Sequence, residues 1–382
     1  MPGLRSSDAA LGAFRRALLA FYDDVARPLP WRDTRDPYAI WVSEVMAQQT
    51  RVETVVPYYL RWLERYPTVE ALADAPLDDV LKSWEGLGYY SRARNLHRAA
   101  GVVAEDHGGA LPDSFEGLRA LPGVGEYTAG AIASIAFERA VPAVDGNVRR
   151  VYARLADEPR PGTAEVRDWA ERVVDPARPG DFNQALMELG ATVCTPRNPA
   201  CGGCPVRAHC RALAAGTVEE RPAPKKRARV RKELRAVGVF VRSADGKAPA
   251  DAPVALLRRR PAEGLLAGLW EFPSVPLGLR AADRAVQAGV RELAADLGLT
   301  AVDGPGERLD PVPHQFSHLH VIYRPWMVAV EGDVGAGVGG TASDEPVRWT
   351  PLHDPGDLAL PVAQQRIAAL AVARRPSSRS FE

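Results

Sequence analysis

Residues 194–210 read Cys-Thr-Pro-Arg-Asn-Pro-Ala-Cys-Gly-Gly-Cys-Pro-Val-Arg-Ala-His-Cys and hold the only four cysteines of the chain, spaced Cys194-x6-Cys201-x2-Cys204-x5-Cys210. Thiolates are soft ligands, suited to zinc or to an iron–sulfur cluster. The doubled C-x2-C of many zinc modules is absent, because a single C-x2-C occurs here. One close pair with two wider arms fits a compact cube in which each sulfur reaches a different corner iron. Two other readings stay open for the same residues: structural zinc on four thiolates, and a pair of disulfides. With no secretory apolar segment and no spare cysteine the chain is expected in the bacterial cytoplasm, where disulfides rarely persist.

Outward from this loop the texture differs on the two sides. Upstream it is helical. From Asp8 to Val25 apolar residues recur at three and four spacing (Leu11, Phe14, Leu18, Phe21, Tyr22, Val25), and similar stripes predict helices over Tyr38–Thr50 and Val52–Arg65. Downstream the period changes: Ala236–Val241, Val254–Leu257 and Val321–Val330 read as strands and Ala281–Leu297 as a helix. A length of 382 residues suits two domains. The expectation is an all-α domain over 1–216, a linker over 217–234, an α+β domain over 235–374 and a frayed tail over 375–382. The linker expectation rests on Arg221–Arg235, RPAPKKRARVRKELR, with eight basic residues against one acid and two prolines. Apolar runs are broken well before spanning length, so no membrane is expected. Lys plus Arg and Asp plus Glu balance at 48 each, so net charge alone does not point to a polyanion.

Three further stretches carry chemistry. Leu121-Pro122-Gly123-Val124-Gly125-Glu126-Tyr127 sets a glycine turn before a helix over Thr128–Phe137. Amides at Gly123, Val124 and Gly125, aided by the helix dipole, suit one phosphate. Asp145, in Val144-Asp145-Gly146-Asn147, precedes a new helix whose start should hold it ionised. Glu44 stands in the otherwise apolar run 40–47, one turn before Gln48, so burial should raise its pKa and keep a proton available near neutrality.

Together the LPGVG turn, the VDGN aspartate and the cysteine loop resemble the helix-hairpin-helix DNA glycosylase superfamily, whose members carry a [4Fe-4S] cluster. The endonuclease III branch has a nucleophilic lysine two residues after the second hairpin glycine, where this chain has Tyr127. That departure, with WVSEVMAQQT at 41–50 and GLGYYSRARNL at 86–96, is similar to the MutY type of adenine glycosylase. The helix-hairpin-helix would span 113–137. The resemblance implies a monomer acting on double-stranded DNA with adenine opposite 8-oxoguanine or guanine, and extrusion of the adenine before its N-glycosidic bond is hydrolysed. Glu44 would protonate the adenine at N7 and Asp145 would stabilise or trap the oxocarbenium-like sugar. Tyr127 would help orient Asp145, and Asn147 would support the same site. Gln49, Thr50, Leu87, Gly88 and Tyr89 would lie at the opened base pair, with an aromatic wedge among them. Arg197 and Arg207 would be available to phosphate.

The segment Gly264–Pro273 with Arg291-Glu292-Leu293 resembles a Nudix hydrolase fold, but Ala295-Asp296 stands where consecutive glutamates are needed to bind magnesium and Leu277 occupies the leading glycine position. The resemblance therefore implies recognition rather than hydrolysis, with Phe316, Ser317 and His318 probing the oxidised purine. Alternatives from other classes are a non-catalytic damage sensor, an electron carrier, and an endonuclease III type glycosylase and lyase. The joint presence of Glu44 and Asp145 argues against the first.

Overall fold

The computed structural model describes residues 8–224, 230–242, 253–302, 304, 306–332, 334 and 346–374. The expected tail over 375–382, and 225–229 of the expected linker, lie outside the described residues. The chain forms two compact units: Met1–Ala75 with Arg92–Lys226, and Pro76–Ser91 with Arg227–Glu382. The short segment 76–91 thus groups with the C-terminal unit although it lies within the helical half of the sequence.

The first unit is helical. Its elements are α1 (Asp8–Val25), α2 (Pro37–Ala47), α3 (Val52–Arg65) and α4 (Val69–Ala73); α5 (Leu77–Ser83) falls in the second unit. The first unit continues with α6 (Ser91–His107), α7 (Phe115–Ala120), α8 (Glu126–Phe137), α9 (Gly146–Ala156), α10 (Thr163–Val173), α11 (Pro179–Thr192) and α12 (Arg211–Ala215). One core unites Phe14 and Leu18 of α1 with Val148, Val151 and Tyr152 of α9, Trp169 of α10 and Phe182 of α11. Helix α2 is apolar on every side and is accordingly buried from Tyr38 to Met46, which forces Glu44 inside. Asp36 caps it by accepting from the Tyr38 amide, and Pro37 at its first position needs no amide partner. The helix stops at Ala47, short of the expected Thr50. Gln48 leaves helical geometry and Gln49 turns left-handed at φ 55, because the final carbonyls are taken by the Arg92 side chain rather than by a further turn. Helix α8 is buried from Thr128 to Ile135 and built of small residues for a reason: a Cβ on Gly130 would meet the Pro142 carbonyl.

In the second unit β1 (Arg231–Arg242) lies parallel to β8 (Leu319–Glu331), with Val237 opposite Pro325. Antiparallel to β1 run β2 (Val254–Arg259) and β4 (Ser274–Leu277). β3 (Trp270–Glu271) and β9 (Val347–Pro351) pair with β2, while β5 (Thr300–Ala301), β6 (Glu307–Arg308) and β7 (Val312–Gln315) pair with β8. Helices α13 (Asp283–Asp296) and α14 (Val362–Ala373) complete it. Alternation along β1 explains the continuous apolar run 236–241. Val237, Val239 and Val241 join Ile367 of α14 in one core, and Ala236 and Phe240 join Val286 and Val290 of α13 in another, so both sheet faces are covered.

Candidate active site

Helix α2 delivers Glu44 into the interior, 9% exposed. The Tyr127 hydroxyl, from the first turn of α8, donates to Glu44 Oε2 at 2.6 Å and lies 3.2 Å from Met187 Sδ. Burial pushes the Glu44 carboxyl up to about 7; the Tyr127 bond and Arg32 oppose this, and the charge of Asp145 adds to it. Tyr127 therefore holds Glu44 directly, and it shares a cavity wall with Asp145. Burial also pushes the Tyr127 phenol well above its ordinary value, so it is a proton donor here.

Asp145 caps α9. Its Oδ1 accepts from the Val148 amide at 2.7 Å and its Oδ2 from Asn147 Nδ2 at 2.7 Å. Its pKa is nevertheless raised, because desolvation outweighs these bonds and the attraction of Arg150. The helix-start bonds expected to hold it ionised are thus present, and burial works against them. Asn147 Oδ1 accepts in turn from Arg150 Nη2 at 2.9 Å, and Arg150 donates to the Gly190 carbonyl at 2.8 Å and the Cys194 carbonyl at 2.9 Å. A continuous polar chain thus joins the cysteine loop to Asp145. Tyr127 and Asp145 open on a cavity of about 670 Å³ whose walls include Phe115, Val141, Pro142 and Arg149.

A second buried acid in this unit is not evident from sequence. Glu188, fully buried in α11, accepts from Arg27 at 2.7 and 3.0 Å and from Arg32 at 2.8 Å. Against the burial that would raise it, these two guanidinium groups hold its carboxyl below the usual range. The only hint in the sequence is an acid inside an apolar helical stripe, the same signal that marks Glu44.

Cys194, Cys201, Cys204 and Cys210 line one recess against α9 and α11 and form no disulfide. Burial, with the neighbouring sulfurs adding to it, pushes the Cys204 thiol up to about 11. Burial raises the Cys210 thiol as well, and a cationic centre that took these two sulfurs as thiolates would offset that cost. Arg154, 2% exposed, donates to Cys194 Sγ at 3.3 Å and to the Thr195 carbonyl at 2.7 Å, fixing the first arm of the loop. Arg197 and Arg207 are exposed beside it.

The remaining expected residues divide. Gln49 is exposed, and the half-buried Thr50 accepts from Arg92 at 3.1 Å through its hydroxyl. In the hairpin Gly123 takes φ 75 against Asn95, a position only glycine fills. The Val124 amide is spent on the Leu121 carbonyl at 3.1 Å, so the phosphate-facing amides expected there reduce to those of Gly123 and Gly125. Leu87 is buried and offers no wedge in this conformation, whereas Tyr89 is 46% exposed on a left-handed backbone beside Gly88. Phe316 packs into the sheet core, and Ser317 and His318 are exposed in the turn between β7 and β8. The Tyr89 and Ser317 hydroxyls lie 3.0 Å apart within the second unit.

Comparisons with known proteins agree with this layout. Residues 42–176 match the HhH-GPD superfamily base excision DNA repair protein family, 194–210 the iron-sulfur binding domain of endonuclease III, and 251–370 the NUDIX domain. The loop is thus an iron–sulfur site. The chain is 40% identical to an adenine DNA glycosylase of Rattus norvegicus over 95% of this chain and 79% of that protein. With that of Homo sapiens it shares 39% identity over 97% of this chain and 76% of that protein. A solved thermostable thymine-DNA glycosylase, 30% identical, superposes with a TM-score of 0.51 over 54% of this chain and 97% of its own. The chain belongs to the adenine DNA glycosylase family, DNA N-glycosylases of base-excision repair.

Proposed function

We propose that this enzyme removes adenine mispaired with 8-oxoguanine or guanine in duplex DNA, acting as a monomer with Glu44 as general acid and Asp145 as the carboxylate that meets the sugar. The observation that carries this reading is the Glu44 carboxyl, pushed up to about 7 by burial and held by Tyr127 beside Asp145. A carboxylic acid kept protonated near neutrality donates to purine N7 as the C1′–N9 bond breaks, so the bonding pair leaves on a neutral base. Asp145, fixed by Val148 and Asn147, stabilises the positive sugar or adds to C1′, and water then completes hydrolysis. Tyr127 stands where a lysine would attack the sugar, so no imine forms and the backbone is left intact.

Ser317 and His318 would read the altered purine from the opposite strand, with Tyr89 next to them. A [4Fe-4S] cluster held by Cys194, Cys201, Cys204 and Cys210 would supply iron–thiolate bonds that fix the loop carrying Arg197 and Arg207. The direct test is Glu44→Gln, which keeps the shape and the Tyr127 bond but not the proton. Adenine release should vanish while affinity for the mispaired duplex survives. Release at the wild-type rate would remove Glu44 from the reaction, and efficient borohydride trapping of wild-type protein on DNA would contradict the absence of an amine nucleophile.

A further inference from the structure

Arg92 begins the second position of α6 and is 8% exposed, an expensive place for a guanidinium unless its protons are used. They are spent on the end of α2. Nη1 lies 3.0 Å from the Val45 carbonyl, 2.7 Å from that of Met46 and 2.6 Å from that of Gln48, and Nη2 donates to Thr50 Oγ1 at 3.1 Å. A helix leaves its last carbonyls unpaired, and here Val45 and Met46 are buried where water cannot serve them. A cation at a helix C-terminus also meets the negative end of the dipole. The two carbonyls belong to the residues directly after Glu44. Beyond them, Gln48 Nε2 donates to Thr128 Oγ1 at 3.1 Å, next to the Tyr127 that holds the Glu44 carboxyl.

We propose that Arg92 is a positioning residue for the reaction: its buried fork locks the α2 terminus and the Gln48–Thr50 turn against α6 and α8, and so fixes where the Glu44 carboxyl stands relative to Asp145. The inference rests on the reading of Glu44 as the acid. Its chemical content is geometric. An arginine fork spans several acceptors at once, which a lysine point charge does not, so the two residues are not equivalent at this place. A small displacement of a reacting group costs rate far more than it costs binding.

The test is single-turnover adenine release at saturating enzyme, measured with the full-length iron-loaded protein on a duplex carrying adenine opposite 8-oxoguanine, beside the Kd for the same duplex. Arg92→Gln should slow release by about tenfold or more while Kd stays within about threefold, and Arg92→Lys should fall between it and wild type. Should Arg92→Gln fail to fold, judged by circular dichroism and iron content, Arg92→Lys carries the test, with release about threefold slower at unchanged Kd. Wild-type release by the folded variants, or rate and affinity falling in step, overturns the proposal. Glu44→Gln in the same assay separates the two ideas. Release retained by Glu44→Gln defeats the acid assignment, whereas release lost there but intact in Arg92→Gln defeats the positioning role alone.

Discussion

Glu44 is the residue on which chemistry and stability pull in opposite directions. Its carboxyl is neutral when protonated and costly inside when ionised, and its folded pKa, about 7, stands above the ordinary 4.5. A folded state that binds the proton more tightly gains stability below the unfolded value and loses it as pH rises through about 7. At pH 8 wild type therefore carries a buried carboxylate that Glu44→Gln does not, a difference of up to about 3 kcal/mol by the usual conversion. The apparent melting temperature of Glu44→Gln should exceed that of wild type at pH 8 and match it near pH 5, and a gap that does not open with pH would show the acid to be ordinarily solvated. The isolated acid in an apolar run made this legible from sequence. The partner of Tyr127 was not legible, since which of two carboxylates it meets depends on how α8 crosses α2 and α9.

At the scale of elements, periodicity found helices and strands but not where α2 ends, because its terminator, Arg92, lies in another helix. Nor does local pattern bring Tyr89 to Ser317; that pairing depends on segment 76–91 joining the second unit, where Arg259 meets Asp78 and the Leu360 amide donates to Glu85 at 2.7 Å. The β7–β8 turn was legible, since alternating strands flank Phe316-Ser317-His318. Its exposed hydroxyl and imidazole suit a polar base edge, and Phe316 anchors them to the sheet. Replacing both Ser317 and His318 by Ala should leave release from a guanine:adenine duplex within about threefold and reduce the preference for 8-oxoguanine about tenfold or more, as expected when a hydrogen-bonding readout is lost. Equal preference before and after would remove the turn from recognition.

For the whole molecule, the cysteine loop, the hairpin and the aspartate at α9 are spread along the sequence yet converge through side chains that no spacing reveals. Arg150 and Arg154 tie Cys194 to α9, and Arg150 continues through Asn147 to Asp145. Through these bonds the loop reaches Asp145 without contributing a carboxylate of its own. Cys201→Ser should lower iron content and DNA affinity, with the rate of bound enzyme falling less than affinity does; a variant that kept iron and affinity but lost release would assign chemistry to the loop. Whether a protonated Glu44 drives adenine loss is decided by the pH dependence of single-turnover release from a duplex carrying adenine opposite 8-oxoguanine. Free adenine and an uncut abasic strand are expected, with a rate that declines as pH rises through about 7, and no release by Glu44→Gln at any pH. A rate flat across that range, or release surviving in Glu44→Gln, would contradict that role for Glu44.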